Sequence, residues 1–262
     1  MIDLHNALIA GRMIGGSGGT PPPEPVLIEK TITQNGTYNA SSDNVDGYSA
    51  VVVNCDSLPV TFAKSIKSLG NSFIETNIVP TIDWTTVIDM SLSDAIASAG
   101  DAFIFGCTNT DSQNVQNGMY GVEISTSNNG TLYCYLGINW QSSNIPVLFA
   151  NSGNRTRNTL YSQRGRHIFG TSYSSSNPTP TLPTLTAPIG FFGYYSSRSG
   201  AKPQAQREIT IYSAKLYNEN GVLVHSLVPA KHKTTERGGL YDLITGTFYP
   251  SSSDFDDVVV EV

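Results

Sequence analysis

The chain is 262 residues long with a formal net charge of −6, and only 14% of its residues are charged, against roughly 25% in an average soluble protein. Its 15 basic residues are scattered, which excludes the concentrated positive footprint of a nucleic-acid-binding surface. Cys55, Cys107 and Cys134 are too widely spaced for a disulfide framework or a zinc site, and no run reaches the roughly 18 apolar residues of a membrane-spanning helix. Ser, Thr, Asn, Gly and Tyr stand where charges would otherwise be. That composition points to turn-rich β structure with a polar, non-ionic surface, and the length allows one or two domains with a substantial core.

In chain order, residues 1–14 carry Leu4, Ala7 and Leu8 at helix-like spacing, with Ile9 and Met13 adding apolar bulk. An isolated helix needs about 12 to 15 residues even in a good sequence. The segment is therefore expected either to be ordered by self-association or docking, as an anchor, or to fray. Residues 15–25 pass from a flexible glycine run, Gly15-Gly16-Ser17-Gly18-Gly19, into the stiff Pro21-Pro22-Pro23. Such a tether implies that the segment before it is anchored separately from the domains after it. Residues 26–56 predict a small three-stranded β module: EKTITQNGTYNAS has a strand-turn-strand form about Asn35-Gly36, and Ala50 to Asn54 is a valine-rich third strand.

Residues 57–262 read as one long series of short strands separated by turn residues, at roughly the 8 to 12 residue spacing of a sandwich or barrel. The strand candidates are SFIETNIV, TTVIDMSLS, DAFIFGCT, GMYGVEIST, GTLYCYLGINW, PVLFAN, RHIFGTSY and IGFFGYYSS. Ser91 to Ala99 predicts at most one helical turn or a loop. In the C-terminal run Arg207 to Ser253, Ile209, Ile211, Ala214 and Leu216 alternate, with a one-residue slip near Ser213. Asn220-Gly221 then predicts a tight hairpin turn, because both residues tolerate positive φ, and Val222 and Val224 resume the alternation. In GGLYDLITGTFY, Tyr241 and Leu243 are the inward-facing candidates, Thr245-Gly246 turns the chain, and Phe248 and Tyr249 close the sheet. These aromatic residues read as packing.

Two stretches carry a resemblance. KTITQNGTYNASSDNVDGYSAVVVNC, with Asn35, Gly36, Thr37, Tyr38, Asp46, Gly47 and Tyr48, resembles a short repeat of tail and fibre proteins from phages of Gram-positive gut bacteria. FIETNIVPT, IYSAKLYNENGVLVHSLVPAK and GLYDLITGTFY resemble the concanavalin A-like (laminin-G-like) domain that often comes after it. Ala230-Lys231 departs from the commonest form of that family without troubling the fold. The resemblance implies an all-β jelly-roll sandwich behind the small module and the anchor. It further implies a virion protein, with the N-terminal segment on other virion components, the sandwich exposed, and assembly as a homo-oligomer, most often a trimer. Met1 to Gly16 lacks the basic and apolar regions of a signal peptide. Assembly in the bacterial cytoplasm with release by lysis reconciles that start with an extracellular-looking surface.

Catalysis is not expected. A glycosidase needs two carboxylates flanking the scissile bond, yet Glu75, Asp83, Asp89 and Glu123 fall in different strand candidates. Asp254, Asp256 and Asp257 form a terminal run. None of His5, His167, His225 and His232 stands beside a nucleophile elbow or a Cys partner. Asn109 to Asn117 is rich in oxygen ligands, but its one carboxylate, Asp111, is a poor start for calcium, so neither metal nor cofactor is expected. Sugar binding uses aromatic faces with amide and guanidinium donors. Two loop regions hold those ingredients: Tyr194, Tyr195 and Arg198, and Trp140 with its neighbours Asn139 and Gln141. The expectation is a fibre protein that binds host-surface or mucosal glycans non-covalently. The alternatives are a structural decoration protein of capsid or tail, and a polysaccharide depolymerase.

Overall fold

A computed structural model describes residues 58–68, 72–92, 102–109, 119–125, 131–137, 157–163, 166–170, 172–175, 184–197, 199–203, 209–252 and 258–261. The anchor, the tether and the small β module lie outside the described residues, as do PVLFAN and the stretch 93–100.

The described chain is all β, without a helix. Its strands are β1 (Val60–Phe62), β2 (Ser65–Ser68), β3 (Ile74–Glu75), β4 (Thr85–Leu92), β5 (Ala102–Thr108), β6 (Met119–Ser125), β7 (Thr131–Gly137), β8 (Asn158–Gln163) and β9 (Arg166–Phe169). They continue with β10 (Ser172–Ser175), β11 (Gly190–Phe191), β12 (Gly193–Ser196), β13 (Gly200–Pro203), β14 (Ile209–Tyr217), β15 (Leu223–His232), β16 (Gly238–Asp242), β17 (Phe248–Pro250) and β18 (Val258–Glu261). The larger sheet has the backbone order β10-β9-β8-β4-β14-β15-β16-β17, with β1, β2 and β18 joined at its side. The smaller runs β13-β12-β5-β11-β3, with β6 and β7 on the other flank of β5. Pairing is antiparallel except between β12 and β5.

Period-2 alternation decides which side chains meet. Across the larger sheet Phe169, Leu160, Ile88, Ala214 and Leu227 lie in register on one face. They pack against Ile104, Phe105, Cys107, Tyr120, Val122 and Phe191 of the smaller sheet in one buried cluster. The two sheets therefore share a core as a sandwich does, and each large apolar side chain buried there contributes roughly 1.5–3 kcal/mol. The phenol of Tyr120 hydrogen-bonds Thr86 across the gap, so a polar group at the centre of the core is satisfied. A second cluster, Val60, Phe62, Ala230 and Tyr241, lies apart from the main core and is extended by Leu58, Val228, Leu243 and Phe248. β16 is consequently buried on both faces: Leu240 enters the main core, and Tyr241 packs edge-on against Phe62 at 5.6 Å.

Three details refine the pattern read in the sequence. The slip near Ser213 is present as a register shift between Ile211 and Ser213. A second shift lies further along: Leu216 pairs with His225 but Tyr217 with Leu223, so Val224 is bulged and Val222 is left 56% exposed. The hairpin turn is thus longer than a two-residue one. Asn218 Oδ1 accepts from Asn220 N and Val222 N, and only Gly221 takes a positive φ, at 73°. Finally, IGFFGYYSS is two strands. Phe192, fully buried, holds φ at 60° and reverses the chain between β11 and β12 at a backbone cost of roughly 1–2 kcal/mol.

Candidate ligand-binding groove

Residues 74–82 alternate buried and exposed, so Glu75, Asn77, Val79 and Thr81 face outward while Ile74, Thr76, Ile78 and Ile82 face inward. The stretch is tied down on both sides. Thr76 N and its hydroxyl donate to Ile189 O at 3.2 and 2.6 Å, and Ile189 N donates to Ile78 O at 2.8 Å. On the other side, Ile74 bridges to Ser251, Ser252 N donates to Phe73 O at 2.7 Å, and Phe73 N donates to Ser252 Oγ at 3.2 Å. β3 thereby joins the smaller sheet to the end of β17 in the larger one.

Along this junction runs an open groove of about 450 Å³. Glu75, Thr76 and Asn77 line it from one segment, Tyr249 to Ser252 from the other, and Arg237 from the turn before β16. The size falls within the roughly 300–1,000 Å³ of small-ligand sites. Its chemistry is mixed: an exposed carboxylate, an exposed amide, a half-buried guanidinium and serine hydroxyls. The Tyr249 hydroxyl donates to Asn77 Oδ1 at 2.6 Å. Burial and the neighbouring Asp242 charge push the Tyr249 phenol above its ordinary range, against weaker opposing hydrogen bonds from Thr247 and Thr245. It therefore remains a donor at neutral pH and fixes the orientation of Asn77. Among the described residues the Asn77 NH₂ group makes no hydrogen bond, which leaves two donors to offer a ligand.

Close to Tyr249 lies a buried hydrogen-bond hub. Asp242 is fully buried at the core-facing end of the row that contains Leu227. Its Oδ1 accepts from Ser226 N at 3.0 Å and Ile244 N at 3.1 Å. Its Oδ2 accepts from His225 Nδ1 at 2.7 Å and the Thr245 hydroxyl at 2.8 Å. Burial alone would raise the Asp242 pKa, but these four donors outweigh it and hold the carboxyl below its usual range. Trp84 lies 5.9 Å from the His225 ring, centroid to centroid. A carboxylate this saturated holds the β15–β16 region in place and has no lone pair left to act as a base.

The sequence-chosen binding residues fare unevenly. Trp140 and Arg198 lie outside the described residues. Tyr194 is only 6% exposed and packs 4.9 Å from the Phe103 ring, so it offers no open face for stacking. Tyr195 is half-buried against the main core. The two tyrosines are adjacent in a strand, so they point to opposite faces and do not form one platform. Asp89 is paired with Arg157, whose Nε lies 2.9 Å from Oδ1 and whose guanidinium stacks 4.0 Å from the Tyr212 ring centre. Glu123 is buried. The Asn109 amide donates to Thr184 O at 2.8 Å, and its Oδ1 accepts from Thr186 N at 2.9 Å, so this residue ties the segment before β11 to the end of β5. His232 Nδ1 accepts from Thr234 N and Thr235 N, which is a turn contact. Cys107 is buried among apolar neighbours, which push its thiol far above the ordinary range. Among the described residues no cluster of His, Cys, Asp and Glu is arranged to hold a metal ion.

Sequence reasoning misses the groove. Taken alone, Glu75 reads as an isolated carboxylate without a catalytic partner, and the alternation through SFIETNIV is the available signal that Glu75 and Asn77 share an outward face. No protein-family model, curated protein or solved structure matches this chain.

Proposed function

We propose that the chain is a virion fibre protein of the kind its sequence resembles, binding host-surface or mucosal glycans without covalent chemistry. The observation that carries this reading is the groove between β3 and β17. Glu75 brings an acceptor to its lining, and Asn77, Arg237, Tyr249 and the serine hydroxyls bring hydrogen-bonding groups beside apolar surface, a mixture that suits a polyhydroxylated ring. Among its described lining residues Glu75 is the single carboxylate, where hydrolysis of a glycosidic bond needs two. That supports binding over depolymerisation.

Trimeric display of such shallow sites would raise weak monovalent binding by about 10² to 10⁴. The N-terminal segment 1–14, ahead of the tether, is the part proposed to make the oligomer and the contact with other virion components. A glycan array probed with the full-length chain at high valency tests the reading. Binding to a defined set of glycans, lost in Asn77→Ala, is expected; an empty array at high valency overturns it. One observation favours the rival decoration role: Tyr194, one of the aromatic residues expected to stack on a sugar, is used for packing.

A further inference from the structure

We infer that Glu75 sets the charge class of the groove's ligand, admitting neutral and amino sugars and excluding acidic ones. This rests on the reading of the groove as a glycan site. Glu75 is exposed and forms no ion pair among the described residues. Arg237, which also lines the groove, is half-buried and already engaged within the protein. Lys231, on the strand before that turn, pairs with Glu236. The chain's net charge of −6 adds to the repulsion of an incoming anion.

Hydrogen-bond chemistry favours a hydroxylated ligand in the same place. A carboxylate is an acceptor with two oxygens, so it can take the hydroxyls of two adjacent ring carbons at once, as charge-assisted bonds. Asn77, two residues along the same extended segment, stands roughly 7 Å away on the same face. Its Oδ1 already accepts from Tyr249, and its NH₂ adds two donors. One end of the groove thus accepts and the other donates. A sugar meets both through a vicinal diol and a ring or acetyl oxygen. A uronate, a sialic acid or a phosphate-bearing polymer brings a second negative charge beside Glu75.

The test uses the full-length chain and three soluble probes of matched ring: a methyl glucoside, the corresponding methyl glucuronide, and a methyl glucosaminide. Saturation-transfer NMR and calorimetry read the affinities. Binding in the order amino sugar, neutral sugar, uronate is expected, with the uronate about tenfold or more weaker than the neutral sugar. Glu75→Gln should bring the uronate to within about threefold of the neutral sugar, and 0.5 M salt should shrink the wild-type gap in the same direction. Because Glu75 is exposed, the variant should melt within a few degrees of wild type. Equal affinity for uronate and neutral sugar in the wild type, or an unchanged gap in Glu75→Gln, overturns the inference while leaving glycan binding standing. If none of the three probes nor any array glycan binds, the glycan reading falls and this one with it.

Discussion

Asp242 is the residue whose removal has the most definite expected cost. Asp242→Ala takes away the acceptor for two backbone N–H groups, an imidazole N–H and a hydroxyl at a stroke. A buried donor left without a partner costs about 1–3 kcal/mol. Ser226 N is buried and bears the full penalty, whereas Ile244 N, His225 and Thr245 are partly reached by water and bear less. The expected loss is on the order of 3–5 kcal/mol. Asp242→Asn keeps Oδ1 for the two backbone donors. Its new NH₂ faces His225 and Thr245, which can both accept, the imidazole by carrying its proton on Nε2 and the hydroxyl by rotating. That variant should lose only about 1–2 kcal/mol. The pH dependence has a definite sign. The folded Asp242 carboxyl titrates below its unfolded value, so its contribution is present at neutral pH and fades as pH falls below about 4. The gap between wild type and Asp242→Asn should therefore narrow between pH 7 and pH 3. Guanidinium denaturation of the full chain at both pH values, with the slope checked for constancy, measures all three quantities. A loss under about 1 kcal/mol for Asp242→Ala at pH 7, or a gap to Asn that does not change with pH, would refute the hub.

Glycine substitutions should separate steric from conformational cost. A Cβ at Gly239 would lie 2.2 Å from the Tyr249 carbonyl oxygen, so Gly239→Ala must move backbone and should lose about 2–3 kcal/mol or more, whereas Gly221→Ala meets open space and should lose only about 1 kcal/mol for its positive φ. Differential scanning calorimetry orders the two. Asp89→Ala and Arg157→Ala should each cost under about 1 kcal/mol, and their double-mutant coupling should shrink in 0.5 M salt, because the pair is partly exposed. Lys215, lowered by burial and partly restored by Asp89, should titrate lower still in Asp89→Ala, visible by NMR of its side chain. Cys107 should resist a thiol reagent in the native state and react on unfolding, as read by peptide mapping of that one cysteine.

Local pattern controls the features that were legible in the sequence. Alternation in Ile209–Leu216 placed those side chains on the core face, and even the slip near Ser213 could be read because two apolar periods were out of phase across it. Gly246 turns the chain with φ at 71°, as Thr245-Gly246 predicted. The bulge at Val224 was not legible. A valine carries no sign that its neighbour will skip a partner, and the skip comes from the longer Asn218–Val222 turn closing with its own side-chain bonds. Tyr241 was placed correctly as packing, but not the second cluster it enters. Val60 and Phe62 join that cluster because β1, far away in the chain, pairs beside β15. For Tyr194 the composition of its loop suggested exposure, and the reversal at Phe192 buried it.

The groove shows the limit most directly, because neither half of it is a motif. Glu75 and Asn77 sit in an ordinary alternating extended segment that starts in β3, and Tyr249 to Ser252 run through and past the end of an ordinary closing strand. They become a site through the pairing of residues 172 and 179 positions apart, Tyr249 with Asn77 and Phe73 with Ser252. A sequence pattern reports spacing within a few residues and is silent on such contacts. The same fact bears on energetics. The bonds that define the groove also tie the smaller sheet to the last strands of the larger, so the site can form only when the sandwich has closed. Loosening the edge, by Gly239→Ala or by loss of the Asp242 hub, should thus reach the groove even though neither residue lines it. Ligand affinity should fall with stability in those variants and stay independent of it in Glu75→Gln.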